Sequence, residues 1–579
     1  MSMRDPHPPS PVLDLDRAAH AVLGRLTQGL SPASFLLAYL DWAVHLAIAP
    51  GKQQALVRKA VQQWLRLAEL ALPSTGPAKP CIEPLPQDHR FDDPAWCQWP
   101  FNVIAQGFLL TQQWWHNATT DVRGVTQHHQ DVVTFNARQA LDMLAPSNFL
   151  ATNPEAWDAT CNELGLNLWR GAFNAAEDLA RALKRDHGTS EPADFAVGQH
   201  VAVTPGQVVF RNDLIELIQY APTTAKVHPE PILIVPSWIM KYYILDLSPH
   251  NSLVRYLVGQ GHTVFILSWR NPTAADRALG MDDYLQLGPV AALKTVQRLM
   301  PGRKVHGVGY CLGGTLLSIA AATWARDGQD GLATLSLLAT QTDFEEPGEL
   351  SLFIDDSQLT YLDDLMWEQG VLEGPQMGGS FTYLNTRDLL WSRLVRDYLL
   401  GTRQPLNDLM AWNQDVTRMP YRMHSEYLRS LYLHNDLAHG SYEVEGRPVA
   451  LSDIRVPIFS VSTVKDHISP WRSVYKLHLL TGASLTFALV SGGHNAGIVS
   501  EPGHAGRTYQ LHTRPEGDKY MDPDTWLNTA GHHEGSWWSA WQAWLVAHSG
   551  KLGKPPAMGN VSKGLPPLGD APGQYVRVR

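Results

Sequence analysis

In the string Lys304-Val-His-Gly-Val-Gly-Tyr-Cys-Leu-Gly-Gly-Thr-Leu-Leu317, a strand-like run leads into Gly-x-Cys-x-Gly and then into a helix-forming stretch. That is the pattern of a nucleophile elbow, with cysteine where serine is usual. Gly309 and Gly313 would permit the tight strand-to-helix turn without a Cβ clash, so that Cys311 projects its sulfur from the carboxyl edge of a sheet. A helix starting near Leu312 would aim free N–H groups at that sulfur, favouring the thiolate and any oxyanion formed in acyl transfer. A thiol nucleophile needs a base, and behind an elbow of this kind the partners follow in the order nucleophile, acid, histidine. Asp466 lies in Val464-Lys-Asp-His-Ile-Ser-Pro470 after one strand-like run, and His494 lies in Ser491-Gly-Gly-His-Asn-Ala-Gly497 after the next. A loop aspartate or a Gly-flanked histidine alone is more often structural than catalytic. Their joint order makes Cys311, Asp466 and His494 the expected catalytic set. His467 is a rival base, but neighbours on an extended loop point in different directions, so it is expected to support the set from behind. His306, on the strand before the elbow, reads as a core histidine. The second oxyanion donor, beside the Leu312 N–H, is expected within Ser237-Trp-Ile-Met240, with Ile239 the choice.

An elbow works only at the edge of a sheet that holds it still. From about residue 205, short β-branched or apolar runs alternate with helical patterns, as in a mainly parallel sheet wrapped by helices. The expected strands are Gln207–Phe210, Ile215–Tyr220, Ile232–Val235, Thr263–Ser268, Lys304–Val308, Thr334–Ala339, Ile458–Ser462 and Leu485–Val490. The fold class is therefore α/β: an α/β-hydrolase fold spanning 205–548, with an inserted cap at about 344–456 and a mostly helical N-terminal domain. The long, aromatic-rich interval from Asp343 to Pro457 cannot be a structureless loop in a compact domain and is read as that cap. Ahead of the sheet are expected a disordered Pro-rich segment (1–16), a short helical extension (17–72), a break around Pro73–Pro80, and a helical domain over 81–204. After an aromatic helix around Ser536–Leu545 comes a Gly/Pro-rich tail, 549–579.

Composition excludes several classes. The chain has 579 residues and a formal net charge of −10, which gives no support for a phosphate-backbone partner. Its four cysteines form no C-x-x-C pair, so neither a disulfide framework nor a cysteine zinc site is expected; a reducing, cytoplasmic compartment fits, and Cys81, Cys97 and Cys161 read as packing residues. No transmembrane run is expected: the longest apolar approach, Ala33 to Ala49, is broken by Asp41 and His45. Twenty tryptophans mean either a large aromatic core or exposed amphipathic surface, and composition does not choose between them.

The chain resembles the polyhydroxyalkanoate synthases, also called poly(3-hydroxyalkanoate) polymerases. The resemblance rests on Gly309-Tyr-Cys-Leu-Gly-Gly314, Trp238-Ile-Met-Lys-Tyr-Tyr-Ile-Leu-Asp-Leu-Ser-Pro249, Gly261-His-Thr-Val-Phe-Ile-Leu-Ser-Trp-Arg-Asn-Pro272 and Asp466-His-Ile-Ser-Pro-Trp-Arg-Ser-Val-Tyr-Lys476. Upstream it rests on Asp88-His-Arg-Phe-Asp-Asp-Pro-Ala-Trp96 and Ser147-Asn-Phe-Leu-Ala-Thr-Asn-Pro-Glu155, and residues 17–53 look like a helical extension of some members. It implies transfer of 3-hydroxyacyl groups from coenzyme A thioesters onto a polyester, with Cys311 acylated, His494 its base, and Asp466 orienting His494 or helping to activate the incoming hydroxyl. It also implies a homodimer at the surface of polyester granules. Neither a phosphate-binding Gly loop nor a metal-ligand cluster is evident, so no cofactor or metal is expected and CoA enters as part of the substrate. Met240, Asn495 and the His424-Ser-Glu426 stretch depart from the residues usual in the family. Two other readings share parts of the pattern: a hydrolytic cysteine enzyme (thioesterase or depolymerase) and a catalytically silent granule protein.

Overall fold

The computed structural model describes residues 11–72, 79–185, 193–384 and 386–579. They form two compact units. The larger takes in the residues up to Gly29, Glu191–Met377 and Leu406–Arg579; the smaller takes in Leu30–Ser190 and Gly378–Pro405.

The larger unit is built on an eleven-stranded sheet: β1 (Gly206–Arg211), β2 (Ile215–Tyr220), β3 (Ile232–Val235), β4 (Val264–Trp269), β5 (Val305–Tyr310), β6 (Leu332–Leu338), β7 (Ile458–Thr463), β8 (Leu485–Val490), β9 (Thr508–Arg514), β10 (Gly531–Glu534) and β11 (Gly569–Asp570). Their order is β10-β9-β8-β7-β6-β5-β3-β4-β2-β1-β11. Strands β3 to β8 pair in parallel, and the outer strands are antiparallel. The central strands are continuous Val/Ile/Leu runs because helices cover both faces. Within β3, Leu233 and Val235 join one buried cluster while Ile232 and Ile234 join the other, the two-residue alternation of a pleated strand. The register Ile232↔His306 and Val235↔Gly309 brings the end of β3 level with the turn after β5.

Of the eight expected strands, Ile215–Tyr220, Ile232–Val235 and Leu485–Val490 coincide with the structure and five shift by one or two residues. β9, β10 and β11 were not expected. β10 is fully exposed and β11 has two residues, so neither leaves a hydrophobic period to read.

The smaller unit is helical: Pro32–Ala47, Pro50–Ala71, Phe101–Thr119, Gln127–Met143, Pro154–Asn162 and Leu166–Arg185. Ser31, Thr126 and Asn153 accept N-cap bonds from backbone N–H groups three residues on. Arg90 is fixed between Asp88 (2.8 Å) and Asp142 (2.7 Å), all three nearly buried. Among the described residues no single helix is long and apolar enough to cross a membrane.

Several expected boundaries move. A helix spans Pro11–Leu26, so it begins within the segment 1–16 read as disordered; residues 1–10, like 73–78 of the Pro-rich break, lie outside the described residues. The residues up to Gly29 cluster with the sheet unit and not with the rest of 17–72, because Thr27, His20 and Arg17 bond to Tyr361 and Asp364 of the Asp356–Gln369 helix. Within the expected cap, Gly378–Pro405 belongs to the helical unit, where the carbonyls of Asp397 and Leu399 accept from Asn174 and Asn167. The Gly/Pro-rich tail supplies β11, and its Gln574 and Tyr575 N–H groups bond the buried Glu216 at 2.8 and 2.9 Å. Cys97 and Cys161 are exposed, not packing residues: one ends a short 3-10 turn, the other lies on the open side of Pro154–Asn162.

Trp537, Trp538 and Trp541 are buried. The helical unit buries Trp42 and Trp96 but also carries the exposed indoles of Trp64, Trp99 and Trp169.

Candidate active site

Cys311 stands between β5 and the helix Leu312–Arg326 with φ 53° and ψ −130°, a conformation that costs a residue with a Cβ on the order of 1–3 kcal/mol. The surroundings hold it there. Its N–H donates to the Leu338 carbonyl at 2.9 Å, and its carbonyl accepts from Gly314 N–H and Thr340 Oγ1 at 2.9 and 3.2 Å. The two glycines act through close approach. A Cβ on Gly309 would fall 2.2 Å from Gly314 Cα, and one on Gly313 would fall 2.2 Å from the Val235 carbonyl oxygen. The helix can therefore start against the ends of β3 and β5 only if both positions lack side chains.

His494 follows β8 in a loop closed by a Gly497 N–H to Gly493 carbonyl bond of 2.8 Å, with Gly492 at φ +109°. The loop rests on the aromatic helix Trp537–Ala547, where the Trp537 and Trp538 indoles donate to the Gly497 and Ile498 carbonyls at 3.0 and 2.9 Å. His494 Nδ1 lies 2.8 Å from Asp466 Oδ2, leaving its other nitrogen for the Cys311 sulfur, which acts on the imidazole. Asp466 also accepts from Thr463 Oγ1 (3.1 Å) and the N–H groups of Ile468 (2.9 Å) and Ser469 (2.8 Å), and its side chain is fully buried. Burial alone would raise the Asp466 carboxyl, but His494 and these backbone donors outweigh it and hold the group below its usual value. Burial likewise pulls the His494 imidazole down, while the Asp466 carboxylate and the Cys311 sulfur push it well above the ordinary histidine value. A thiol, an imidazole and a carboxylate in this chain can pass a proton from sulfur to imidazole and stabilise the ion pair that results.

The structure thus pairs His494 with Asp466 and turns the imidazole to the Cys311 side of the elbow. Leu312 begins the helix, and its N–H is the first beyond the sulfur. Ile239 N–H meets Ser237 Oγ at 3.3 Å. His467 does not join the group: it is exposed on a bend where the Ile468 and Ser469 N–H groups fold back onto Asp466. His306 is a buried core histidine whose two nitrogens meet Thr334 Oγ1 (2.8 Å) and Ser549 Oγ (3.0 Å).

The three unusual positions all touch the insertion. Met240 bridges Val416, Asn495 reaches Asn413 at 3.3 Å while accepting from Tyr310 at 2.6 Å, and buried His424 packs against Tyr427. Sequence reasoning passed over Tyr310, Thr463 and the Trp537–Trp538 support. The paired tryptophans after the capping Ser536 were the only available signal for that support.

An open parallel sheet with a cysteine elbow and an acid and histidine on the loops after consecutive strands defines an α/β-hydrolase-class domain, and an alpha/beta hydrolase fold model matches residues 230–501. Models described as the N-terminus of poly-beta-hydroxybutyrate polymerase match residues 87–257 and 10–52. The chain is 39% identical over 504 residues to a poly(3-hydroxyalkanoate) polymerase of Methylorubrum extorquens, covering 86% of this chain and 82% of that one. It is 36% identical over 554 residues to the poly(3-hydroxyalkanoate) polymerase subunit PhaC of Cupriavidus necator, covering 93% and 91%. The chain belongs to the poly(3-hydroxyalkanoate) polymerase family. Among solved structures, a monoacylglycerol lipase of Paleococcus ferrophilus overlays 58% of this chain and 99% of its own at a TM-score of 0.31 and 11% identity.

Proposed function

We propose that the chain is a polyhydroxyalkanoate synthase that polymerises 3-hydroxyacyl-CoA thioesters with release of CoA, through an acyl group held on Cys311. The contact chain Cys311–His494–Asp466 at a strained elbow carries this reading. His494 takes the Cys311 proton, the thiolate attacks the thioester carbonyl, and the C–S bond to CoA breaks as the CoA sulfur receives that proton. The carbonyl oxygen carries negative charge in transit, and the Leu312 and Ile239 N–H groups are the donors assigned to it. In chain growth, the 3-hydroxyl of one unit gives its proton to His494 and attacks the carbonyl of another. A C–O bond forms, the thioester C–S bond of the attacked unit breaks, and the departing sulfur takes the proton from His494. Asp466 keeps the imidazole in the tautomer that accepts from sulfur or hydroxyl. Exchange between thioesters is nearly isoenergetic, so a cysteine stores the acyl chain without committing it to water. The insertion over the site serves to keep water out.

The same reading assigns a cytoplasmic enzyme working as a homodimer at the surface of polyester granules, with the exposed Trp64, Trp99 and Trp169 of the helical unit as contacts for insoluble polymer. Incubation with 3-hydroxybutyryl-CoA tests the reaction: CoA should appear in step with insoluble polyester. Free 3-hydroxy acid equal to the CoA released would make the chain a hydrolase. A folded Cys311→Ala variant that still released CoA would remove Cys311 from the chemistry.

A further inference from the structure

The insertion segment Trp412–Pro420 runs along the loop after β3, and it grips that loop by the backbone. Met240 and Val416 form an isolated antiparallel bridge. Thr417 N–H donates to the Ile239 carbonyl at 3.1 Å, and Thr417 Oγ1 donates to the Trp238 carbonyl at 2.6 Å. On one side Trp412 Nε1 donates to the Lys241 carbonyl at 2.7 Å; on the other Arg418 is held by Asn271 Oδ1 (2.8 Å) and the Pro272 carbonyl (2.7 Å). Thr417 itself is 2% exposed, so water does not compete for either bond.

In a trans peptide the carbonyl and the N–H of one plane point in opposite directions. The bond from Thr417 Oγ1 to the Trp238 carbonyl therefore sets the direction of the Ile239 N–H. The bond from Thr417 N–H to the Ile239 carbonyl does the same for the Met240 N–H. Ile239 N–H currently meets Ser237 Oγ at 3.3 Å, a long bond to a hydroxyl free to rotate away. One buried residue of the insertion thus fixes both peptide planes of the loop.

We propose that Thr417 is a positioning residue for acyl transfer, holding the Trp238–Met240 backbone so that the Ile239 amide faces the oxyanion that forms at Cys311. This rests on the assignment of Cys311 as nucleophile and Ile239 as oxyanion donor. It makes the insertion part of the catalytic apparatus: the donor is aimed only while the Trp412–Pro420 segment is seated.

Thr417→Val keeps the shape and the backbone N–H and deletes the hydroxyl. Its kcat for CoA release should fall about 10- to 100-fold, less than the roughly 10²–10³-fold cost of deleting an oxyanion donor outright, with KM within about threefold. Thr417→Ser should restore kcat to within about threefold of the parent, because the hydroxyl carries the effect. Alkylation of Cys311 by iodoacetamide forms no oxyanion, so its rate should be the same in all three proteins. Unchanged kcat in Thr417→Val, a loss of alkylation parallel to the loss of kcat, or no rescue by serine would each overturn the proposal. Should Thr417→Val fail to fold by circular dichroism, Thr417→Ala is judged by the same criteria. Failure of the underlying assignment looks different: the parent protein itself would show no preferential alkylation at Cys311.

Discussion

Replacing Asp466 by asparagine tests the proton path at its buried end. The carboxylate has four partners: His494 Nδ1, Thr463 Oγ1 and the N–H groups of Ile468 and Ser469. An asparagine of the same shape keeps its oxygen on the two backbone donors and turns its NH2 toward His494. That NH2 donates, so the imidazole must accept at Nδ1 and carry its proton on the nitrogen facing Cys311. The histidine then has no lone pair for the thiol, and it also loses the negative charge that raises its proton affinity. Loss of about 10³–10⁴ in kcat is expected, or ~4–5.5 kcal/mol of transition-state stabilisation. The fold should survive at a cost of ~1–3 kcal/mol, since only Thr463 and His494 lose their acceptor outright while the Ile468 and Ser469 N–H groups keep a neutral amide oxygen. The assay is chromatographic CoA release from 3-hydroxybutyryl-CoA, with a single-turnover burst to isolate acylation, alongside the pH dependence of Cys311 alkylation. In the variant, alkylation at neutral pH should be slower than in the parent, because the imidazole no longer accepts the thiol proton. A variant within tenfold of the parent would refute the tautomer argument. A normal acylation burst followed by slow chain growth would move Asp466 from orienting His494 to activating the incoming hydroxyl.

Gly313→Ala places a Cβ 2.2 Å from the Val235 carbonyl oxygen and 2.4 Å from the Pro236 carbonyl, both backbone atoms; a loss of about 2–4 kcal/mol in chemical denaturation is expected, with little soluble enzyme. Burial holds His262, His306, His424 and His478 at about 3, 4, 3 and 3, below the 6.5 of an unburied imidazole. The unfolded chain therefore takes up those protons first, so this stability is complete above about pH 6.5 and is lost as pH falls toward about 4 for His306 and about 3 for the others, at up to ~1.4 kcal/mol per pH unit for each group. Thermal melts between pH 7 and pH 4.5 should follow that slope, and His424→Phe, which removes one of the four and an unpartnered buried Nδ1, should flatten it. Trp538→Phe leaves the Ile498 carbonyl without its 2.9 Å donor, which should cost ~1–3 kcal/mol of stability in denaturant and lower activity by loosening the His494 loop.

The elbow was legible because its signal is local: strand, glycine, cysteine, glycine and helix occupy a dozen consecutive residues. Asp466 and His494 were legible because each follows a buried strand whose apolar run is unmistakable. Thr417, Asn413 and Trp538 were not, since their partners lie on other elements and a threonine or tryptophan has no periodicity that names a distant carbonyl. β9 escaped for a related reason: Thr-Tyr-Gln-Leu-His-Thr-Arg is half exposed at the sheet's flank and reads as polar. The division of the insertion, with Gly378–Pro405 clustered among the N-terminal helices, depends on long-range contacts such as Tyr383 OH to Asn136. The tryptophans show the limit of composition. The run after Ser536 supports the histidine loop from inside, and the exposed indoles lie on the helical unit.

The pairing of β1 with β11 also bears on how the chain is made. Val208 and Gln207 meet Gly569 and Asp570, and the Tyr575 N–H closes onto Glu216 across 359 positions of sequence. During synthesis, β1 emerges early and keeps an open edge, with buried Glu216 behind it short of two donors, until residues 569–575 leave the ribosome. A nascent chain arrested before that point would carry an unpaired strand beside a finished elbow, which makes late-stalled chains more aggregation-prone than chains stalled before β1 is made.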